Sequence, residues 1–206
     1  MTVYDNSAGR HADALRAHAR RGVWRCVLSW LGVTAHTRRA DAQARSWDAG
    51  AKGEAATKRL LSVLEREGWT VLHDRALPGA HSANADHVLV SPGARVFLVD
   101  SKLWSARGRV RAVGGRLLHG TRNVDKDLRS VLFESELASR AVGVAVQPLM
   151  AVHNAPVDGG GLIVQGVPVV PADRLLVLLR GNAGPRAAGA VWLGEMAAQV
   201  LPPYPG

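Results

Sequence analysis

The stretch ADHVLVSPGARVFLVDSK, residues 85–102, decides the fold of this chain. Two short, apolar, β-branched arms flank a Pro-Gly turn signal, so the arms are predicted to pair as an antiparallel β-hairpin. A turn centred on residue 93 pairs residues whose numbers add to 186, which places Asp86 opposite Asp100. Because strand residues alternate between the two faces, Lys102 is expected on the same face as Asp100.

The predicted pairing brings two carboxylates together, with their Cβ atoms roughly 5 Å apart. Like charges directly opposed on a sheet are destabilising, and the apolar strands add a desolvation cost. A bound cation removes that conflict. Two carboxylates that hold a hard cation, with an ammonium beside them, are the groups that a metal-dependent phosphodiesterase needs. Asp86, Asp100 and Lys102 are therefore candidate catalytic residues.

A set of features in chain order resembles the nuclease-related domain (NERD) family of the PD-(D/E)xK nuclease superfamily. The features are Gly53-Glu54 at a helix start, His73-Asp74-Arg75 with Pro78-Gly79, Asp86-His87-Val88, the sequence VDSKLW at residues 99–104, and Gly114-Gly115-Arg116-Leu117. Ala85 stands where the proline of the signature would precede Asp86. The likeness covers residues 48–125 well and residues 126–180 loosely. We therefore expect a basic helical extension and linker (1–47), a NERD-like nuclease core (48–182) and a C-terminal extension (183–206).

This resemblance implies an α/β fold in which helices flank a mixed central sheet, with a restriction-endonuclease-like (PD-(D/E)xK) core. It also implies that a helix-borne glutamate, here Glu54, accompanies the metal site. Asp86 and Asp100 would hold Mg²⁺ or Mn²⁺. Lys102 would position the attacking water or stabilise the charge that develops on the phosphate.

The helix that carries Glu54 is predicted from about residue 49 to residue 67, where Gly68 supplies a stop signal. Glu54, Thr57, Leu61 and Leu64 share one stripe, which turns Glu54 inward at the positive end of the helix dipole. Two interpretations of Glu54 remain open. It is either a charge that merely caps the helix, or a third metal ligand that acts directly or through water.

Composition restricts the partners. The 206 residues include 26 Lys and Arg against 17 Asp and Glu, which gives a net charge of +9 and a pI near 10.9. This balance favours a polyanionic partner, nucleic acid before an anionic membrane. Cys26 is the only cysteine, which excludes an internal disulfide and favours a reducing compartment, the cytoplasm. The longest apolar stretch near the start, residues 23–33, is too short to span a bilayer, so no stable membrane insertion is expected.

Residues 10–31 carry the apolar periodicity of a helix, together with five arginines, at positions 10, 16, 20, 21 and 25. This segment is either a helical extension that packs on the main domain or a basic amphipathic helix that binds nucleic acid or a membrane surface. The polar, basic residues 36–47 predict a linker.

Three strands are predicted at residues 69–77, 86–90 and 96–103, forming a meander beside the helix. Arg107, Arg109 and Arg111 alternate along the next segment, which Gly114-Gly115 turns into a hairpin. This row of arginines either tracks the phosphates of a nucleic acid or protects a solvated sheet edge. Lys126 joins the candidate nucleic-acid-binding set, on the outer side of a helix at residues 123–141. A buried strand at 144–152, one or two strands within 161–170 and a helix that Asp173 begins complete the prediction.

Three further polar residues were candidates for the site. His87 adjoins Asp86 but points to the opposite face, so a packed histidine is expected. Ser101 also points away from Asp100 and Lys102, which leaves its backbone carbonyl as the expected metal ligand. Gln147 is either a possible site residue early in its strand or a packed amide with a satisfied hydrogen bond.

The sequence therefore predicts a divalent-metal-dependent nuclease that hydrolyses phosphodiester bonds, with DNA preferred to RNA. Two alternatives remain open. One is a nucleic-acid-binding module of the same fold with little or no catalysis. The other is a membrane-peripheral adaptor that uses the N-terminal amphipathic helix.

Overall fold

A computed structural model describes residues 52–80 and 83–205 of the chain. These residues fall within one structural unit, Ala49–Gly206. The helix predicted at residues 10–31 and the linker predicted at residues 36–47 lie outside the described residues, as do the first residues of the helix predicted from residue 49.

The first helix and the first three strands form the predicted meander. Helix α1 covers residues 52–65, and Gly68 follows it with a φ of 87°, a conformation that glycine adopts readily at the end of a helix. Strands β1 (Thr70–Ala76), β2 (Asn84–Val90) and β3 (Val96–Leu103) come next. Each pairs antiparallel with its neighbour, so the meander is confirmed.

A second, smaller sheet follows β3. It consists of β4 (Val110–Val113), β5 (Arg116–His119) and β6 (Arg122–Asn123), paired antiparallel in that order. Gly114 and Gly115, with φ values of 56° and 73°, form the two-residue turn between β4 and β5. Such a turn requires positive φ at both positions, which explains the paired glycines.

The main sheet continues after this insertion. Helix α2 (Asp125–Val142) leads to β7 (Val146–His153), which lies parallel to β3. Strands β8 (Leu162–Val164) and β9 (Val167–Pro171) form a hairpin, and β9 lies parallel to β7. The strand order is β1-β2-β3-β7-β9-β8. Antiparallel and parallel halves meet in one sheet, so the predicted α/β fold with a mixed central sheet is confirmed.

Helices cover both faces of the main sheet. A short 3-10 turn, Ala172–Arg174, precedes α3 (Leu175–Gly181), and α4 (Ala190–Val200) follows. Helices α2 and α4 pack on the face that carries Val88 and Leu98, whereas α1 and α3 pack on the face that carries Leu89 and Phe97. Strand alternation places Asp86, Asp100 and Lys102 on the α2 face.

The C-terminal residues belong to the same core. Leu193, Ala197 and Leu201 are buried with residues of α2 and of the main sheet. Arg75 on β1 donates to the carbonyl oxygens of Leu201 at 2.6 Å and Ala198 at 2.8 Å. The Arg75 guanidinium thus hydrogen-bonds to carbonyl oxygens at the C-terminal end of α4 that lack helical partners. Among the helices in the described part of the chain, none is both long and apolar enough to cross a membrane.

Candidate active site

The β2–β3 hairpin has the register predicted from the sequence. Its pairs all have residue numbers that add to 186: His87–Val99, Val88–Leu98, Leu89–Phe97 and Val90–Val96. Asp86 and Asp100 are the next residues beyond the last pair. The turn packs tightly, because a Cβ on Gly93 would lie 2.2 Å from the Ala183 carbonyl oxygen. Glycine is therefore required for close approach at this turn.

Asp86 extends the hairpin through its side chain. Its Oδ2 accepts a hydrogen bond from the backbone N–H of Ser101 at 2.9 Å. Burial and the negative charge of Asp100 raise the pKa of Asp86 to about 7, although the Ser101 hydrogen bond opposes this rise. Because the N–H and C=O of one strand residue point to the same side, the Ser101 carbonyl also points toward the β2 side.

Asp100 and Lys102 form an ion pair on β3. Lys102 Nζ donates to Asp100 Oδ1 at 2.7 Å, and the Asp100 side chain is only 6% exposed. The other carboxylate oxygen, Oδ2, is buried and has no hydrogen-bond partner among the described residues. Burial raises the pKa of Asp100, and the attraction of Lys102 opposes that rise. Burial alone would lower the pKa of Lys102, but the charge of Asp100 and its hydrogen bond raise it, so the ammonium stays protonated at neutral pH.

Glu54 reaches the same site from the first turn of α1. Gly53 packs against the end of β3, where an added Cβ would meet Leu103 atoms at 3.4 Å. Glu54 is half-buried, and burial and the charge of Asp74 raise its pKa while Lys102 opposes the rise. Its charge also acts on Asp86 and Asp100. The inward orientation predicted for Glu54 agrees with this environment.

Helix α2 adds two acids that the sequence patterns did not single out. Glu134 is half-buried, and burial followed by the charges of Asp100 and Asp86 raises its pKa to about 8. Asp127 lies seven residues earlier on the same side of the helix, and its charge acts on Asp100 and on Lys102. A sequence signal for Glu134 was present, because a glutamate between the apolar residues Val131 and Ala138 interrupts a core-facing stripe.

A chain of hydrogen bonds lies on the opposite face of β3. Ser101 Oγ donates to Thr57 Oγ1 at 2.8 Å, and Thr57 Oγ1 is hydrogen-bonded to His153 Nε2 at 2.7 Å. Thr57 is fully buried and Ser101 is 4% exposed. The chain joins α1 to the ends of β3 and β7. It also shows that the Ser101 hydroxyl points away from Asp100 and Lys102, as predicted.

His87 is a packed histidine, as predicted. Its Nδ1 lies 2.9 Å from Nδ1 of His73, and the two rings meet edge to face. Burial lowers the pKa of His87 to about 3, which keeps the imidazole neutral. His87 therefore packs behind the site, on the face opposite to Asp86.

The predicted nucleic-acid-binding residues are exposed and follow Lys102, but they do not form one regular row. Strand β4 begins at Val110, so Arg107 and Arg109 lie in the preceding loop and only Arg111 lies on a strand. A turn precedes the strand, in which the Gly108 N–H donates to the Ser105 carbonyl at 3.1 Å, and a Cβ on Gly108 would lie 2.5 Å from the His119 ring. Arg109 pairs with Asp158 at 3.1 Å, and Arg111 donates to the Gly120 carbonyl at 3.3 Å. Lys126 is exposed in the first turn of α2.

Gln147 is not brought to the carboxylates. The parallel pairing of β7 with β3 sets Gln147 beside Phe97, whereas Asp100 lies beside Met150. Gln147 is therefore three residues away along the strands and on the opposite face of the sheet. It is exposed near the start of β7, which explains why an amide is tolerated there.

The carboxylates of this site are suitable ligands for a divalent cation, although they do not form a complete coordination site. Within residues 52–80 and 83–205, no group of three or more His, Cys, Asp or Glu side chains is arranged as a metal centre. Carboxylate oxygens are nevertheless the donors that Mg²⁺ and Mn²⁺ prefer. Burial leaves Asp100 Oδ2 without a partner and raises the pKa of each neighbouring carboxyl, Asp86 and Glu134. A bound cation would give Asp100 Oδ2 a partner and would stabilise the ionised forms of Asp86 and Glu134, so these residues fit such an ion.

A comparison with known families agrees with this geometry. The family model described as the nuclease-related domain, NERD, matches residues 49–143. That range includes Glu54, Asp86, Asp100, Lys102 and Glu134. No curated protein and no solved structure matches the chain significantly. The resemblance to the nuclease-related domain family that the sequence predicted is therefore confirmed over residues 49–143.

Proposed function

We propose that this protein is a divalent-metal-dependent nuclease that hydrolyses phosphodiester bonds, with DNA as its substrate. One observation carries the proposal. Asp100 is buried, holds Lys102 with one oxygen and leaves the other oxygen without a described partner, directly beside Asp86. A buried carboxylate with an unsatisfied oxygen is destabilising unless an ion or another donor completes it.

Asp86 and Asp100 would hold Mg²⁺ or Mn²⁺, with the Ser101 carbonyl and, directly or through water, Glu54. When bound, such an ion supplies Lewis acidity toward the phosphate. The hydrogen bond from the Ser101 N–H fixes the Asp86 carboxylate relative to β3. The close packing of Gly53 on Leu103 fixes the first turn of α1, and with it Glu54, beside the same strand. The protein thus supplies preorganised oxygen donors from three elements.

Lys102 would act as a fixed positive charge rather than as a base. Its pKa is raised by Asp100 despite burial, so it keeps its proton at neutral pH. An ammonium has three N–H donors, and Asp100 Oδ1 accepts one of them. The other two have no acceptor among the described residues and would orient water or stabilise charge on a phosphate oxygen. Lys102 is 23% exposed, so a substrate can reach it.

The exposed arginines beyond Lys102 would contact the phosphate backbone. They lie on the loop and the small sheet that follow β3: Arg107, Arg109, Arg111, Arg116 and Arg122. Lys126 adds a charge at the start of α2. Contacts of this kind are independent of base sequence and weaken as salt rises. This basic surface also supports the rival function, nucleic-acid binding without cleavage.

The test is incubation with supercoiled circular DNA, linear DNA and RNA, each with Mg²⁺, with Mn²⁺ and with EDTA. We expect the wild type to cut DNA only with a divalent ion, and Asp100→Asn and Lys102→Ala to lose cutting by about 10²- to 10³-fold, a typical loss for one electrostatic group. Asp173→Asn, at an exposed position on the 3-10 turn before α3, is the matched control. Undiminished cutting in EDTA or by Asp100→Asn would refute the mechanism. DNA binding without any cutting would favour the rival.

A further inference from the structure

Glu134 lies at the level of Asp100 along the sheet. Helix α2 runs antiparallel to β3, because it connects the parallel strands β3 and β7 and ends just before β7 begins. Glu134 precedes the end of α2 by eight residues, or about 12 Å of helix. Asp100 follows the start of β3 by four residues, or about 13 Å of strand. The two residues therefore lie at a similar height along the sheet, and the charge of Asp100 acts on Glu134.

Glu134 also lies on the core side of α2. The residues one turn before it and one turn after it, Val131 and Ala138, are fully buried, and Leu137 is 8% exposed. The Glu134 side chain makes no hydrogen bond or ion pair with any described residue. Glu136, two residues later, is exposed and pairs with Arg140. The two glutamates of one helix thus have opposite environments.

A partly buried carboxylate without a partner destabilises the fold unless a positive charge lies nearby. The ammonium of Lys102 acts on Glu134 through its charge, and its hydrogen bond goes to Asp100. One ammonium therefore faces at least three carboxylates: Asp86, Asp100 and Glu134. An independent observation points the same way, since Asp100 is 4% exposed and its Oδ2 lacks a partner among the described residues.

We propose that Glu134 is an additional carboxylate of the cation site, supplied by α2 to complete what β2 and β3 begin. The inference rests on the proposed metal-dependent function and adds a donor to it. The cation would then be held between the sheet and α2, so ion binding would also tie this helix to the sheet. Glu54 would approach the same ion from α1.

The test is calorimetric titration of the full chain with Mn²⁺, at fixed pH and ionic strength, without nucleic acid. Glu134→Gln keeps the shape of the side chain and removes its charge, and we expect Mn²⁺ affinity to fall by about 10- to 100-fold, the usual effect of losing a supporting group. Glu136→Gln makes the same chemical change on the outer side of α2 and should leave the affinity unchanged. Wild-type affinity in Glu134→Gln overturns the inference.

A second variant and a melting curve keep the result interpretable. Glu134→Asp keeps the charge but draws the carboxylate back by one methylene, so weaker binding than wild type is expected in a folded protein. Melting curves in EDTA establish that each variant is folded. If the wild type gives neither heat nor a melting shift with Mn²⁺, the proposed function fails and this inference fails with it. If the wild type binds and both Glu134 variants bind equally well, only the inference fails.

Discussion

The carboxylate of Asp86 on β2 accepts a hydrogen bond from the backbone N–H of Ser101 on β3, at 2.9 Å. A side chain thereby takes the place of a further backbone pair, and the β2–β3 ladder ends at His87 and Val99. The same carboxylate lies within the field of Asp100. Strand β3 therefore both binds the Asp86 carboxylate, through the Ser101 N–H, and repels it, through the charge of Asp100.

Asp86→Asn and Asp86→Ala are expected to have opposite effects on metal-free stability. Asparagine keeps an oxygen for the Ser101 N–H and removes the like charge, so in EDTA it should stabilise the fold by roughly 0.2–1 kcal/mol. Alanine leaves that N–H unpaired, which costs about 1–3 kcal/mol. Urea unfolding in EDTA measures both. Equal stability of the two variants would contradict the hydrogen bond.

Mn²⁺ should reverse the ranking of wild type and Asp86→Asn. A ligand that binds only the folded state stabilises it by about 2.7 kcal/mol at a hundredfold excess over its Kd. The asparagine variant lacks one charged donor and should gain less. If the wild type melts at the same temperature with Mn²⁺ and with EDTA, the folded protein does not bind the ion and the proposed metal site is refuted.

The metal-free fold should lose stability as pH rises through neutrality. Burial, with the charge of Asp100, raises the pKa of Asp86 from 3.8 to about 7 and the pKa of Glu134 from 4.5 to about 8. The folded chain holds these protons more tightly than the unfolded chain. The protonated carboxyl groups therefore contribute their whole stabilisation below the pKa values of the unfolded chain. This stabilisation is lost as pH rises through the pKa values of the folded chain.

Unfolding free energy in EDTA should then fall as pH rises from the unfolded to the folded pKa values, by up to about 1.4 kcal/mol per pH unit for each group that is ionised only in the unfolded chain, and should level off above about pH 8. His87 has the opposite sign. Burial lowers its pKa from 6.5 to about 3, so its stabilisation is lost as pH falls below 6.5 and offsets part of the carboxyl slope there. Between about pH 6.5 and pH 8 His87 no longer opposes the two carboxyl groups. Glu134→Gln should flatten the slope and Glu136→Gln should not. An identical slope in all three proteins would show that Glu134 does not titrate in the site.

The sequence could predict the hairpin because its register depends on local features, namely one turn and the alternation of two strands. It could not predict that Lys102 donates to Asp100, because both side chains have other rotamers available on the same face. The sequence does not reveal the position of Glu134 relative to Asp100, because that position depends on where α2 packs along β3 after the inserted sheet. Arg107 and Arg109 were placed on a strand because alternation alone does not reveal that Gly108 packs on His119.

The arginines after Lys102 are expected to control the salt dependence of nucleic-acid binding. Replacing Arg107, Arg109 and Arg111 with alanine should reduce the slope of log K against log salt by up to about 2.7, at about 0.9 per phosphate contact. Arg109 already pairs with Asp158, so its share should be the smallest. The control removes three exposed arginines elsewhere: Arg59, Arg66 and Arg186. Equal slopes for both triple variants would show that only net charge matters.

The hydrogen-bond chain behind the site is expected to stabilise the fold. Thr57 joins the Ser101 hydroxyl to the His153 ring, and all three groups lie between α1 and the sheet. Thr57→Val keeps the volume but removes the hydroxyl, leaving Ser101 Oγ and His153 Nε2 without their partner at about 1–3 kcal/mol. Thr57→Ser keeps the hydroxyl and loses one methyl group, about 0.8 kcal/mol of apolar burial. Urea unfolding should therefore rank wild type above serine and serine above valine. If only apolar burial mattered, the valine variant would be more stable than the serine variant. That result would show that apolar packing, and not these hydrogen bonds, holds α1 on the sheet.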